Sequence, residues 1–441
     1  MTARRHRRRR RELSIDEAPR LTVQLTGVAH GGEALGRADG RVVFVPFGLP
    51  GEVVEVALVD ERPDYARGVI LSVIRPSPSR VEPRCALFGE CGGCQWQHAE
   101  YATQLEMKRG IVAEQLRRIG GFADAEELVL PTIGMVDPWA YRNHIRFSVG
   151  RQFGDLGFTK KQTRKLLRVD RCWIADRQID EIRDRIQGRL AGQRVHQVAV
   201  RVGCTTGEVM VSPALPTIDD VTSGQTELHE ELLGRRFRIA GPSFFQVNTR
   251  REPRHMPAGT ERFAELVSPG GISMAEILML VALAGLGLQP DDLVVDAYCG
   301  VGTFTAAMAP YVRAAVGIEE STAAVADADR NCADLPNVSF MAGKVETVLA
   351  EMGTSERLPG APTKILLDPA RVGCDPRALT AMAAARPDRI VYVSCEPATL
   401  ARDLALLRDA GYRLESVQPV DMFPQTYHVE SVSVLRHSVP G

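Results

Sequence analysis

Apolar and polar positions change their period three times along the chain. Between residues 21 and 75, short β-rich runs alternate with Gly-rich turns, as in residues 21–25 (LTVQL), 41–46 (RVVFVP), 52–58 (EVVEVAL) and 67–73 (RGVILSV). Four or five strands in so short a stretch predict a small barrel of the OB type, followed by a Pro-containing link at residues 76–80. Leu105, Val112, Leu116 and Ile119 then recur at helical core spacing. Strand-like runs return at residues 144–149, 198–202 and 208–211, which predicts a mixed α+β central domain. From about residue 272 the runs at 293–297, 315–319, 364–368 and 389–394 are almost continuously apolar and are separated by helical stretches. Strands buried on both faces look like this, so the pattern predicts a doubly wound α/β sheet with its ligand at the strand carboxyl ends. The expected organisation is a basic tail over residues 1–14, a barrel over 15–76, a central domain over 77–270 and the α/β domain over 271–441. No internal repeat is present.

Composition narrows the class. With 441 residues, 44% hydrophobic and 25% charged, whole-chain disorder, collagen and a coiled-coil rod are excluded. The longest uncharged apolar stretch, residues 277–288, is too short to span a bilayer and predicts a buried helix. No secretory signal follows the basic start, and the chain is expected to be soluble, cytoplasmic and monomeric, with no membrane partner. Net charge is only −1, but seven arginines lie within residues 4–11. Such a block stays solvated, and it suits either a polyphosphate backbone, a solubilising tail or a weak targeting peptide.

Nine cysteines scattered over a long chain disfavour a disulfide framework. Cys85, Cys91 and Cys94, with Gly92 and Gly93 between the last two, precede a lone Cys172. Four such thiolates suit an iron–sulfur cluster or a tetrahedral zinc. The spacing is not that of radical enzymes, so a structural site is expected.

The α/β domain carries the chemistry. DAYCGVGTF (residues 296–304) follows the first apolar strand and opens a helix. Gly300 and Gly302 permit a tight turn and close backbone approach. Glu319 ends the next strand, where a carboxylate can hold a ribose diol. A third glycine is missing, which leans the motif away from dinucleotides and towards S-adenosylmethionine (SAM). LLDPAR places Asp368 at a strand end, SCEPATL places Cys395 at the next, and MFPQTYHVES leads through Glu430 into the last strand. A helix N-terminus would ease ionisation of Cys395. Alone, Cys395 reads as an inert buried thiol; its convergence with Asp368 and Glu430 reverses that. Gln246, within SFFQVN, offers an amide that is either structural or directed at a base edge or cofactor.

Taken together, these five motifs in this order resemble the RNA uracil-5-methyltransferase family, from residue 20 to 436. The resemblance implies a Rossmann-like SAM-dependent methyltransferase domain. It implies that the barrel is a TRAM domain that binds RNA, and that Cys85, Cys91, Cys94 and Cys172 hold a 4Fe–4S cluster. Barrel and cysteine set together resemble the members acting on large-subunit (23S) ribosomal RNA; a tRNA substrate and a noncatalytic RNA-binding or redox-sensing protein are the alternatives. By the same carry-over, Cys395 adds to carbon 6 of uracil and Glu430 removes the carbon 5 proton. Gln246, Tyr298, Thr303, Glu319 and Asp368 line the SAM and uracil pockets. Arg142, Arg146 and the run Lys160, Lys161, Arg164, Lys165 become candidate phosphate contacts. Three departures stand out. Glu396 replaces the family's usual Asn after the nucleophile, so it is expected to point away or to pair with a base. Thr303 also stands where Asn is common. Residues 249–271, rich in arginine, form a longer link than expected.

Overall fold

The computed structural model describes residues 15–160, 163, 165–352 and 360–438. The arginine block at 4–11, and Lys161 and Arg164, lie outside them. Strands β1 (Arg20–Val28), β2 (Ala34–Ala38), β3 (Arg41–Val45), β4 (Val53–Glu61) and β5 (Tyr65–Arg75) close into a barrel in the order β1-β2-β3-β5-β4. The alternation seen in the sequence is the reason: Val23, Leu25, Val43, Val45, Val54 and Val56 all point inward and are buried.

Next come α1 (Tyr101–Arg118), α2 (Ala125–Leu128), β6 (His144–Val149), β7 (Leu156–Thr159), β8 (Leu166–Arg168), α3 (Arg177–Ile186), β9 (Gln197–Val202) and β10 (Val209–Ser212). The five strands form an antiparallel sheet, β10-β9-β6-β7-β8, and β11 (Glu227–Leu232) with β12 (Arg235–Ala240) adds a hairpin. In α1, Val112 and Leu116 are buried as the spacing predicts, but Ile119 is 47% exposed. The helix stops at Arg118, so Ile119 no longer follows its apolar stripe.

The third part contains α4 (Met274–Leu286), β13 (Leu293–Ala297), α5 (Thr303–Met308), β14 (Ala314–Glu319), α6 (Thr322–Asn331), β15 (Val338–Ala342), α7 (Val345–Met352), β16 (Lys364–Leu367), α8 (Pro376–Ala384), β17 (Arg389–Ser394), α9 (Pro397–Asp409), β18 (Tyr412–Val420) and β19 (Glu430–His437). Its seven-stranded sheet runs β15-β14-β13-β16-β17-β19-β18. The first five strands are parallel, and β19 runs against β17. Strand order reverses between β13 and β16, which opens a crevice at their carboxyl ends. The long apolar stretch is α4, a helix buried almost all round and started by a reciprocal Ser273–Glu276 cap. Among the described residues, no helix is long and apolar enough to cross a membrane.

Packing ignores the boundaries suggested by the sequence. One core cluster joins Tyr141, Leu232, Phe237 and Phe245 to α4 and to the sheet. A second joins α1 through Val112 and Leu116 to α8, α9 and the opposite sheet face. The unexplained arginine-rich link is a strap across this seam. Arg251 bridges Glu231 of β11 and the buried Glu276 of α4, and Arg254 donates to the Gly134 carbonyl at 2.6 Å.

Candidate active site

The turn after β13 is left-handed at three places: Tyr298 (φ 66°), Gly300 (φ 55°) and Gly302 (φ 84°). A Cβ on Gly302 would meet the Phe340 ring at 2.9 Å, so packing as well as φ demands glycine there. At Gly300 a Cβ would meet nothing within 4 Å, which leaves the backbone bare. Glu319 is fixed by two amides, accepting from Gly300 N at 3.2 Å and Ser321 N at 2.8 Å. Thr303 is the first residue of α5, beside this turn. Tyr298 is half-buried and packs on the second core cluster beside the Cys374 thiol. Asp296, which the sequence reading left without a role, is fully buried. Thr305 Oγ1 donates to its Oδ2 at 2.5 Å, and its Oδ1 has no partner among the described residues. Burial, with the nearby Glu319 charge, pushes its carboxyl up to about 7.

The chemical end is set by strand register. Ser394 of β17 pairs with Ser431 of β19. Because these strands are antiparallel, Cys395 leaves β17 where Glu430 enters β19, and both project at the sheet's carboxyl edge. Asp368 follows β16 on the same edge, and Gln246 Nε2 reaches it from the loop after β12 at 3.3 Å. The structure therefore gathers Cys395, Glu430, Asp368 and Gln246 into one crevice. Burial, then the charge of Asp368, pushes Glu430 up to about 8, with Arg371 pulling the other way. Asp368 rises to about 7 through burial and the Asp296 charge.

Cys395 does not behave as its helix position suggested. Burial, then the Glu430 charge, lifts its thiol to about 12, against the pull of Arg371. The sulfur precedes the N-cap residue Glu396 and faces carboxyl groups, so desolvation and like charge outweigh the helix N-terminus.

Glu430 sits at the end of a loop anchored by residues that sequence reading missed. Lys108 and Asp421, both with fully buried side chains, meet at 2.5 Å, and Lys108 also donates to the Phe423 carbonyl at 3.0 Å. Tyr101 OH donates to the other Asp421 oxygen at 3.0 Å. Gln104 and Gln425 exchange hydrogen bonds, and the backbone amides of Gln95 and Trp96 donate to the Gln425 carbonyl. The only sequence signal was polar residues at buried spacing on α1, which no local period marks as paired with a loop 300 residues away. Phe244 was also missed: it stands two residues before Gln246 and is 71% exposed.

The departure at Glu396 has a partner. Its carboxylate meets His30 Nε2 at 2.6 Å, in the turn between β1 and β2 of the barrel. That turn is docked at a second point, where Trp96 Nε1 donates to the Gly32 carbonyl at 3.0 Å. Although burial opposes it, the His30 contact holds the Glu396 carboxyl below its usual value.

All four predicted cysteines line one cavity of about 530 Å³, together with Arg142, Arg146 and Trp173. Arg84 lies 4.8 Å from the rings of both Trp139 and Trp173, and Arg171 lies 3.6 Å from Trp173. Gly93 N donates towards Cys91 Sγ at 3.4 Å. The four-thiol grip expected of the 4Fe–4S or zinc site is not formed: among the described residues no group of three or more His, Cys, Asp or Glu is placed to hold a metal ion. Of the basic run, Lys160 is engaged with Glu90 at 2.6 Å.

Comparisons with known proteins agree with this geometry. A family model described as tRNA (uracil-5-)-methyltransferase matches residues 271–438, and one described as a TRAM domain matches residues 19–71. An uncharacterised RNA methyltransferase of Gloeobacter violaceus is 35% identical, over 95% of this chain and 96% of its own length. One of Halalkalibacterium halodurans is 34% identical, over 94% and 96%. Among solved structures, the tRNA (uracil-54, C5)-methyltransferase of Pyrococcus abyssi in complex with S-adenosyl-L-homocysteine has a TM-score of 0.68 at 23% identity, covering 94% of this chain and 100% of that one; that likeness speaks for the fold. This chain belongs to the RNA methyltransferase family, with a tRNA (uracil-5-)-methyltransferase-type domain over residues 271–438.

Proposed function

We propose that this protein methylates carbon 5 of a uridine in RNA, with Cys395 as transient covalent nucleophile and Glu430 as the base. The observation that carries the reading is the Ser394–Ser431 pairing, which sets the thiol and a buried carboxyl side by side beyond Asp368. When bound, SAM supplies an electrophilic methyl group. The residues present fit it: Glu319 is oriented by two amides, the backbone at Gly300 is bare, and Asp296 Oδ1 is a buried acceptor in need of a partner. Tyr298 and Thr303 flank the same turn.

Carbon 5 of uracil is a poor nucleophile. As Cys395 Sγ bonds to carbon 6, the 5,6 double bond opens and its electron pair passes towards carbon 5 and the ring carbonyl. The thiol proton passes to ionised Asp368, which also faces the sulfur, so that Glu430 stays free to act as the base. Carbon 5 then takes the methyl group that SAM would supply, the sulfonium–methyl bond breaking with its electron pair left on sulfur. Glu430, ionised, removes the carbon 5 proton; the double bond re-forms and the bond to Cys395 breaks. A base raised towards neutrality suits proton removal at working pH. The hydrogen-bonded pair Gln246–Asp368 offers an amide and a carboxyl to the uracil edge. Exposed Phe244 offers a stacking face to a base lifted out of its stack.

The barrel supplies RNA affinity, aided by Arg142 and Arg146. The family resemblance is what supports a 4Fe–4S cluster on the four cysteines, which share the wall of one cavity. Barrel and cysteine set together favour large-subunit ribosomal RNA as substrate.

The decisive experiment incubates protein, labelled SAM and uridine-containing RNA. Wild type gives 5-methyluridine, Cys395→Ala gives none, and Glu430→Gln accumulates a methylated protein–RNA adduct. Activity retained by Cys395→Ala overturns the mechanism. Mapping 5-methyluridine in ribosomal and transfer RNA of cells lacking the gene decides the substrate. Anaerobic protein that is colourless and carries stoichiometric zinc overturns the cluster.

A further inference from the structure

His30 is a barrel residue, yet its ring meets the residue directly after the nucleophile. The contact is short, 2.6 Å from Nε2 to the Glu396 carboxylate, with both side chains less than one-third exposed. The imidazole is held in place from behind: Tyr427 of the catalytic loop packs edge-on, with ring centroids 6.1 Å apart. The turn that carries His30 is pinned by the Trp96–Gly32 hydrogen bond, and a Cβ on Gly32 would press against Tyr427 at 3.0 Å. Three separate elements therefore fix where His30 stands. A carboxylate with no such partner, free to swing beside Cys395, would add a negative group to the two carboxyls already facing the sulfur, Glu430 and Asp368. It would oppose ionisation of a thiol that must become an anion to react.

We propose that His30 is a positioning residue for methyl transfer: it draws the Glu396 carboxylate away from Cys395, so that the barrel completes the catalytic loop as well as gripping RNA. The proposal rests on Cys395 being the nucleophile. The other charged or titratable groups facing the pair among the described residues are Arg371, His428 and Tyr427, with Glu430 and Asp368 facing the neighbouring Cys395. None of these lies in the barrel, whose other approach to the loop is Gly32 beside Tyr427.

A double-variant cycle on the full-length protein tests this. Steady-state methylation is measured for wild type, His30→Ala, Glu396→Gln and His30→Ala/Glu396→Gln, and thermal melts confirm folding. Cys395→Ser runs alongside. His30→Ala lowers kcat about tenfold, the size of one pKa unit on the thiol, with KM for RNA within about twofold. The double variant recovers to the level of Glu396→Gln, because no charge is left to restrain. His30→Gln, which keeps a donor, falls between wild type and His30→Ala. A double variant as slow as His30→Ala overturns the proposal, and so does an effect confined to KM. Should Cys395→Ser retain activity, the covalent reading itself fails, a result distinct from either outcome of the cycle.

Discussion

At the scale of single residues, the crevice stores charge cost. Glu430 is 5% exposed and its carboxyl is raised from 4.5 to about 8. Between those values the unfolded chain has released this proton while the folded chain still holds it, so the residue's contribution to stability falls as pH rises through that window and levels off above about 8. Glu430→Gln is therefore expected to stabilise the fold by on the order of 1–3 kcal/mol at pH 8 and by almost nothing near pH 4. Thermal melts of both proteins across pH check this. The same titration gives kcat an ascending limb centred near pH 8 if Glu430 acts ionised. Gly302→Ala is expected to cost about 1–3 kcal/mol and to weaken SAM binding, since the new Cβ combines positive φ with the Phe340 clash; calorimetric titration with SAM reads the second effect. That Cys395 and Glu430 would meet was legible because SCEPATL and MFPQTYHVES each lie at a strand end. The height of the thiol's pKa was not, since burial and facing carboxyls belong to the folded crevice.

Among elements, α1 matters more than its amphipathic pattern implies. Its apolar face packs on α9, but Tyr101, Gln104 and Lys108 clamp the loop that delivers Glu430. Removing Lys108 leaves the fully buried Asp421 carboxyl without its ammonium partner. Lys108→Ala is expected to cost about 3–5 kcal/mol, while Lys108→Ala/Asp421→Asn recovers part of it; denaturant melts compare the two. Strands β13, β14, β16 and β17 were easy to read because near-continuous apolar runs have few alternatives; β15 and the half-polar β18 were not. The short strands β7 and β8 and the hairpin β11–β12 were not, as their residues are half-polar and lean on partners far away in sequence. The arginines of residues 249–271 looked like a basic link; their meaning depends on acids on β11 and α4 that no local pattern ties to them.

For the whole molecule, sequence domains and packing units differ. The family model begins at residue 271, but residues before it supply Gln246, Lys108, His30 and one wall of the core around α4. A fragment of residues 271–441 is expected to be insoluble or to melt without a cooperative transition, as circular dichroism would show, because it bares the apolar faces that Phe237, Phe245 and Leu116 cover.

The opposed run of β17 and β19 has one last consequence. Since neighbouring positions on a strand face opposite sides, parity matters more than length there. One residue inserted within β19 ahead of Ser431 would turn the acid away from the sulfur, whereas two would restore its side at the wrong height. The closing loop can therefore tolerate drift in composition, while the count of positions between Glu430 and its partner strand is locked by the ladder itself.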